Sequence, residues 1–254
     1  MKYKGYLIDL DGTMYNGTAV IDGAVDFIDR LNEAGIPYVF LTNNATKTQA
    51  EAAQKLIDMG FHIHPETLYT SAMATAAYLK ETDPGATVYA IGSDSLKETL
   101  KDAGITLTEA DAEYVVMGLD TEINYEKLSK AALMINNGSK FISTNPDRKF
   151  PTEQGLVPGN GALVAVLASA TDVEPVVIGK PQGIILESAV ASLDLPKEAV
   201  LMVGDNYDTD ILTGINGGVD TLHVNTGVTS NEEMNSKTHR PTYMINNLKE
   251  WSVD

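Results

Sequence analysis

Apolar and polar positions follow two rhythms along this chain. Short β-branched or aromatic runs read as buried strands, and between them apolar positions recur every three or four residues, as on one face of a helix. The first run, Tyr6-Leu7-Ile8, stops at Asp9-Leu10-Asp11-Gly12. A second covers 36–41, after Asn32-Glu33-Ala34-Gly35, which reads as a helix end with a C-cap glycine. Ala50, Ala53, Leu56 and Ile57 predict a helix over 46–59, stopped at Gly60. Further strands are expected over 88–91, 114–117, 141–143, 176–178, 199–203 and 221–224. Helices are expected between them, over 93–103, 125–135, 161–170, 183–193 and 208–215. Such alternation implies parallel sheets joined by right-handed crossovers, an α/β architecture. About ten strands are many for one doubly wound sheet in 254 residues, so two domains are expected. Residues 1–78 and 178–254 would form one, holding the Asp9 segment and its chemical partners. Residues 79–177 carry their own strand–helix series and would form an inserted α/β lid.

Composition narrows the class. A hydrophobic fraction of 43% and a charged fraction of 21% suit an ordinary globular protein with a real core. The longest apolar runs, such as 162–168, fall short of a membrane span. The first residues lead into a strand rather than a signal peptide, and cysteine is absent, so disulfides and thiolate metal sites are excluded. A cytoplasmic location is the expectation. The net charge of −17 argues against nucleic acid and anionic membranes as partners. An anionic substrate would need a local cation to overcome that field.

Chemistry in an open parallel sheet sits outside the carboxyl ends of the strands. Asp9-Leu10-Asp11-Gly12 lies at such an end. It reads either as an Asx-type turn or as an acidic pair sharing its site with a metal or a cationic side chain. Thr42-Asn43-Asn44 follows the second strand, just before a predicted helix; it reads as an N-cap or as a phosphate seat. Lys180 follows Val176-Val177-Ile178-Gly179 and can balance a phosphoryl group or a carboxylate. Asp205, Asp208 and Asp210 follow the strand over 199–203; they are either solubilising acids at a helix start or hard oxygen ligands for Mg2+.

Together and in this order these motifs resemble the four-motif set of the haloacid dehalogenase (HAD) phosphotransferases. The carriers are Asp9-Leu10-Asp11-Gly12-Thr13, Thr42, Lys180 and Gly204-Asp205 with Asp210. Thr42-Asn43-Asn44, Asp208-Thr209-Asp210-Ile211, Ser143-Thr144-Asn145-Pro146-Asp147 and Pro158-Gly159-Asn160-Gly161 resemble its NagD-like branch. The resemblance spans essentially the whole chain. It implies a Rossmann-like core in two segments, with a large α/β cap inserted between the second and third motifs. It also implies Mg2+ held by the Asp9 side chain, the Asp11 main-chain carbonyl and the Asp205 side chain. Asp9 would be the nucleophile that forms an aspartyl-phosphate, and Asp11 the general acid and base. Gly12 permits a tight turn beside the phosphate. Thr42, Asn43 and Asn44 would bind phosphoryl oxygens, Lys180 would balance charge, and Asp210 would orient metal water or Lys180. Where the family commonly has Arg or Glu in the loop after Asp205, this chain has Asn206 and Tyr207, a change at a substrate-contact position. Asn145 and Asp147 are candidates for leaving-group contacts in the cap; a Pro-linked turn is the plainer reading of both.

The expected function is therefore a Mg2+-dependent phosphatase acting on a small phosphorylated metabolite such as a sugar phosphate, with p-nitrophenyl phosphate as an artificial substrate. A binding module without turnover, and a phosphotransferase or mutase with an acceptor other than water, are the alternatives; a homo-oligomer is left open. Other motifs point nowhere. His62-x-His64 reads as surface, and His223 as a core residue or one supporting a site from behind, rather than a base. Met14 and Val20 stand where an EF-hand loop needs Gly and Glu. Gly159-Asn160-Gly161 lacks the third glycine of a dinucleotide fingerprint, and no P-loop is present.

Overall fold

The apolar run that opens the chain is strand β1 (Gly5–Ile8), buried along its whole length. A computed structural model describes residues 2–152 and 154–253. After β1 come a small hairpin, β2 (Tyr15–Asn16) and β3 (Ala19–Val20), then α1 (Ala24–Glu33), β4 (Tyr38–Thr42), α2 (Gln49–Asp58), β5 (Leu68–Thr70) and α3 (Ser71–Thr82). The middle of the chain runs β6 (Thr87–Ile91), α4 (Asp94–Asp102), β7 (Thr106–Leu107), β8 (Tyr114–Met117), α5 (Tyr125–Asn136) and β9 (Lys140–Ser143). It continues through β10 (Lys149–Thr152), β11 (Gly155–Pro158), α6 (Asn160–Thr171) and β12 (Val176–Val177). The last third holds α7 (Gly183–Ser192), β13 (Val200–Gly204), α8 (Leu212–Gly217), β14 (Asp220–Val224), α9 (Asn231–Ser236) and β15 (Tyr243–Ile245).

The chain divides into two compact units. The first comprises the segment up to Thr42, Gln49–Tyr69 and everything from Lys180 on; the second comprises Asn43–Thr48 and Thr70–Gly179. The sequence pattern had suggested crossings at 78/79 and 177/178. Compactness instead draws α3 into the second unit, where it packs on α4.

The first unit is built on a six-stranded sheet in the order β15-β14-β13-β1-β4-β5, parallel at every pairing from β15 to β4. Both faces of β1 are covered, which is why Gly5-Tyr6-Leu7-Ile8 lacks the alternation of a half-exposed strand. α1 presents Phe27, Ile28 and Leu31, spaced at one to four residues, to a core that includes Tyr6, Ile8, Phe40, Leu201, Val203 and Leu222. Each fully buried Leu, Ile or Phe there contributes roughly 1.5–3 kcal/mol. The second unit holds a five-stranded parallel sheet, β12-β9-β8-β6-β7, and the antiparallel hairpin β10-β11. α5 and α6 pack together on that sheet through a core containing Ala131, Ile135, Val164 and Leu167.

Several elements lie outside the sequence expectations, among them the short β2, β3, β5, β7, α9 and β15; for α3 and the hairpin β10-β11 the physical reason is plain. α3 is rich in small residues (Ser71, Ala72, Ala74, Ala76) that are buried on more than one side, so no apolar stripe marks it. The hairpin β10-β11 is exposed wherever its strand β11 is described, so it lacks the alternation of a half-buried pair.

Candidate active site

Strand order decides which residues meet. β1 lies between β13 and β4, and the registers Ile8↔Val203 and Ile8↔Phe40 bring three carboxyl ends level. Asp9 extends the ladder by one rung, its N–H bonding Val203 O at 2.9 Å. Asp205 follows the end of β13, and Thr42 closes β4. Asp9, Asp205 and Asp210 each offer a carboxylate oxygen within 4.8 Å of the others, and all three residues are buried. Buried carboxylates are costly unless a cation shares the site. Lys180, only 3% exposed, supplies one. Its ammonium donates to Asp9 Oδ1 and, at 2.7 Å, to Asp210 Oδ1.

One ammonium does not balance three carboxylates. Burial and then the Asp210 charge push Asp9 well above the usual carboxylate range, against the pull of Lys180. Burial and the Asp210 charge push Asp205 up to about 6, opposed by hydrogen bonds from the Val228 N–H and the Thr13 hydroxyl. Burial by itself would strip Lys180 of its proton, but the Asp210 and Asp9 charges outweigh it and hold the ammonium protonated.

Backbone detail makes the crowding possible. Gly12 has φ 91°, and a Cβ there would overlap the Asp205 carboxylate. Gly227 approaches the same carboxylate from the loop after β14, again leaving no room for a Cβ. In that loop the Thr226 hydroxyl donates to Gly12 O at 2.6 Å, and the Val228 N–H donates to Asp205 Oδ2 at 2.6 Å. His223, on β14, supports the loop from below. Its Nε2 faces Thr229 O at 2.9 Å and Asp205 O at 3.2 Å. Burial lowers its pKa, and with Nδ1 also engaged by Asn231 Oδ1 at 3.0 Å both ring nitrogens are taken up in holding the loop.

Asp210 arrives by a π-helical turn, Tyr207–Ile211, where the pattern predicts regular helix. The N–H groups of Asp210 and Ile211 both bond Asn206 O, at 2.9 and 3.2 Å. The widened turn brings Asp210 Oδ2 back onto the Asn206 N–H at 3.1 Å. The Asn206 side chain caps the turn by accepting from the Asp208 N–H at 3.0 Å. π-turns of this kind recur at functional sites.

The remaining candidates separate. Asp11 is exposed, and the Tyr15 hydroxyl lies 3.3 Å from its Oδ2. Asn43 and Asn44 belong to the second unit. The Asn43 amide donates to both Asp147 oxygens at 3.2 Å, while its carbonyl accepts from Asn145 Nδ2 at 2.9 Å and Ser71 Oγ at 2.7 Å. Asn145 Oδ1 accepts from the Asp147 N–H at 3.2 Å, and Asn160 Nδ2 donates to Asn145 O at 2.8 Å. Asn44 Oδ1 closes an Asx turn on the Thr46 N–H at 2.8 Å. α2 begins at Gln49, so the helix start expected just behind Asn44 lies further along. His62 is exposed and bonds Asp29 at 2.9 Å.

Thr13, Tyr15, Gly227 and Val228 contribute to the site without being candidates in the sequence, while His223 takes the supporting place its apolar run allows. Thr226-Gly227 after the strand over 221–224 obeys the same strand-end rule as the others and was a usable signal. Val228 acts through its backbone and carries none.

The acidic cluster fits a hard divalent cation. Asp210 is occupied by Lys180 and the Asn206 N–H. Asp9 Oδ2 and Asp205 Oδ1 both face the Thr13 hydroxyl, at 3.4 and 3.2 Å, and are the oxygens left to bind an ion. The donor set is all oxygen; burial raises both pKa values first, and the charge excess that adds to it is what a dication relieves.

Residues 6–106 match the family model for haloacid dehalogenase-like hydrolases, and residues 177–251 match a HAD-hydrolase-like model. An acid sugar phosphatase of Staphylococcus epidermidis is 51% identical over 247 residues, covering 97% of this chain and 95% of that protein. One from Staphylococcus aureus is 51% identical over 250 residues, covering 98% and 96%. Among solved structures, a thermostable NPPase double mutant from Geobacillus stearothermophilus superposes with a TM-score of 0.93 at 47% identity, covering 99% of this chain and 98% of that one. A p-nitrophenyl phosphatase from Archaeoglobus fulgidus gives a TM-score of 0.91 at 34% identity, covering 98% of each.

Proposed function

This chain belongs to the haloacid dehalogenase-like hydrolases and is a phosphatase of their NagD-like branch, and on that premise we propose that it hydrolyses small sugar phosphates with Mg2+, through an aspartyl-phosphate on Asp9. The observation that supports this most is the buried cluster of Asp9, Asp205 and Asp210 around Lys180 at the carboxyl ends of adjacent parallel strands. The relatives' names, acid sugar phosphatase and nitrophenylphosphatase, support the substrate class.

In this reading Asp9 attacks phosphorus in line while the bond to the leaving oxygen breaks, which splits hydrolysis into two easier displacements. Lys180 orients Asp9 and favours its ionised form, and Asp210 keeps Lys180 in place. Asp11 protonates the leaving oxygen and then takes a proton from the attacking water. Thr42 and Asn206 donate to phosphoryl oxygens beside Gly12, and Asn43 and Asn44 are the further residues assigned to phosphate binding. The Asp9 and Asp205 side chains and the Asp11 carbonyl would hold Mg2+, which when bound offsets charge on those oxygens. Residues 79–177, with Asn145 and Asp147, select the leaving group.

The test is phosphate release from p-nitrophenyl phosphate and from a panel of sugar phosphates, with Mg2+ and with EDTA, for wild type and Asp9→Asn. Mg2+-dependent turnover on both substrate classes, falling at least 10³-fold in Asp9→Asn, is expected. Full activity in the variant would eliminate the aspartyl-phosphate. Binding without turnover would favour a regulatory module, and transfer to an added alcohol faster than to water would favour a phosphotransferase.

A further inference from the structure

We propose that Tyr15 is a positioning residue for proton transfer, its hydroxyl fixing the Asp11 carboxylate in the orientation that protonates the leaving group. The inference rests on the reading of Asp11 as general acid and base. Asp11 is exposed, and a carboxylate on a surface turn samples several rotamers. Among the described residues, the Tyr15 hydroxyl, 3.3 Å from Asp11 Oδ2, is its one hydrogen-bond partner. Such bonds are often long before substrate arrives and tighten in the reacting complex.

Tyr15 is built as a post. It is 4% exposed and packs into the core that contains Met14, Ile21 and Leu56. The N–H groups of Thr13, Met14 and Tyr15 all converge on Leu10 O, at 3.2, 2.8 and 3.3 Å, and the Gly12 N–H returns to Tyr15 O at 2.8 Å. These bonds fold the segment after Asp9 so that the Tyr15 ring stands behind Asp11. The Lys55 ammonium lies 3.6 Å from the ring centroid and pins its face. The phenol is the donor of this pair, and the Asp11 carboxylate oxygen accepts. With Oδ2 occupied, Oδ1 is left to carry the transferable proton. As the leaving oxygen departs with the bonding electron pair, that proton passes to it while an Asp9 oxygen bonds to phosphorus. In the second half-reaction water attacks phosphorus and gives a proton to Asp11, while the Asp9 oxygen–phosphorus bond breaks and its electron pair returns to the Asp9 carboxylate.

Help from a general acid matters in proportion to the basicity of the leaving oxygen. p-Nitrophenolate leaves readily without a proton; phenolate and alkoxides do not. The experiment therefore compares kcat/KM on phenyl phosphate with that on p-nitrophenyl phosphate for wild type, Tyr15→Phe and Asp11→Asn in the Mg2+-loaded protein. Tyr15→Phe is expected to lose about tenfold on phenyl phosphate and less than about threefold on p-nitrophenyl phosphate, a fraction of what a general acid supplies in full. Asp11→Asn is expected to widen the same ratio further. An equal loss on both substrates, or none on either, would overturn the proposal, since a packing role cannot discriminate between leaving groups. If Tyr15→Phe fails to fold, Lys55→Met should shift the ratio in the same direction, and an unchanged ratio there counts against it. If Asp11→Asn leaves the ratio as in wild type, the general-acid reading itself falls and takes this inference with it. A widened ratio in Asp11→Asn alone overturns Tyr15 and spares Asp11.

Discussion

Gly227 illustrates how much one missing methyl group decides. Its Cα sits so close to the Asp205 carboxylate that a Cβ would overlap Oδ2 and crowd Gly12. Gly227→Ala should therefore displace Asp205 by about 1 Å, a misplacement that costs on the order of 10²-fold in rate. The check is kcat/KM on p-nitrophenyl phosphate beside a thermal melt, and full activity would contradict the close approach. Lys180 poses the opposite problem at the same scale. Among the described residues it is the one buried lysine or arginine, and it faces two carboxylates with a third close by. The candidate site was legible in the sequence to the extent that each of its charged residues follows a strand. Tyr15, Val228 and Gly227 were not read as site residues. A phenol, a backbone N–H and a glycine acquire a role through what they lie against, and local sequence does not report that.

Among the elements, the far edge of the first sheet shows how polar groups tie non-local segments together. Asp220 opens β14. It accepts from the Tyr3 hydroxyl at 2.6 Å, from Lys2 at 2.9 Å and from the Thr242 hydroxyl at 3.0 Å, which ties the chain start to the residues just before β15. The Tyr3 hydroxyl, and then Lys2, hold its carboxyl below the usual range, against burial. A carboxyl whose folded pKa lies below its unfolded value of about 4 adds stability above that pH and loses it as pH falls through the folded value. Asp220→Asn should thus destabilise the protein at pH 7 by about 1 kcal/mol or less, because the group is partly exposed. Urea unfolding at pH 7 and near pH 3 checks it: the wild-type advantage should shrink with acid, and a constant gap would refute the linkage. The π-helical turn over Tyr207–Ile211 makes a second point about elements. Asn206, Asp208 and Asp210 all read as a helix start, and the pattern gives no sign that the turn must widen to bring Asp210 onto Lys180.

For the whole molecule, charge is the dominant quantity. A net −17 opposes compaction and repels anions, and the acids gathered at the site add to it locally. A dication bound to the folded form stabilises by RT ln(1 + [L]/Kd), about 2.7 kcal/mol at a hundredfold excess over Kd. Mg2+ should accordingly raise the melting temperature beyond what NaCl at equal ionic strength achieves, since salt acts by screening alone. Asp205→Asn should abolish the excess and keep the salt effect. Equal shifts with the two salts in wild type would remove the support for a specific Mg2+ site.

What the sequence determined by itself was most of the longer strands and helices, though not α3 or the short edge elements, and the list of acids, amides and lysine at strand ends. Periodicity and turn chemistry are local, acting over a few residues, so they are readable before any folding. It also carried the α/β class and the resemblance that pointed to phosphoryl transfer. The tertiary structure alone decided that β13, from late in the chain, lies beside β1 and so brings Asp205 next to Asp9. It also decided that Tyr15 faces Asp11 and that the loop after β14 supplies the Val228 N–H. Those are contacts between residues apart in sequence or turned by a non-standard backbone. They are selected by burial and hydrogen-bond satisfaction across the whole core, which no window along the chain can evaluate.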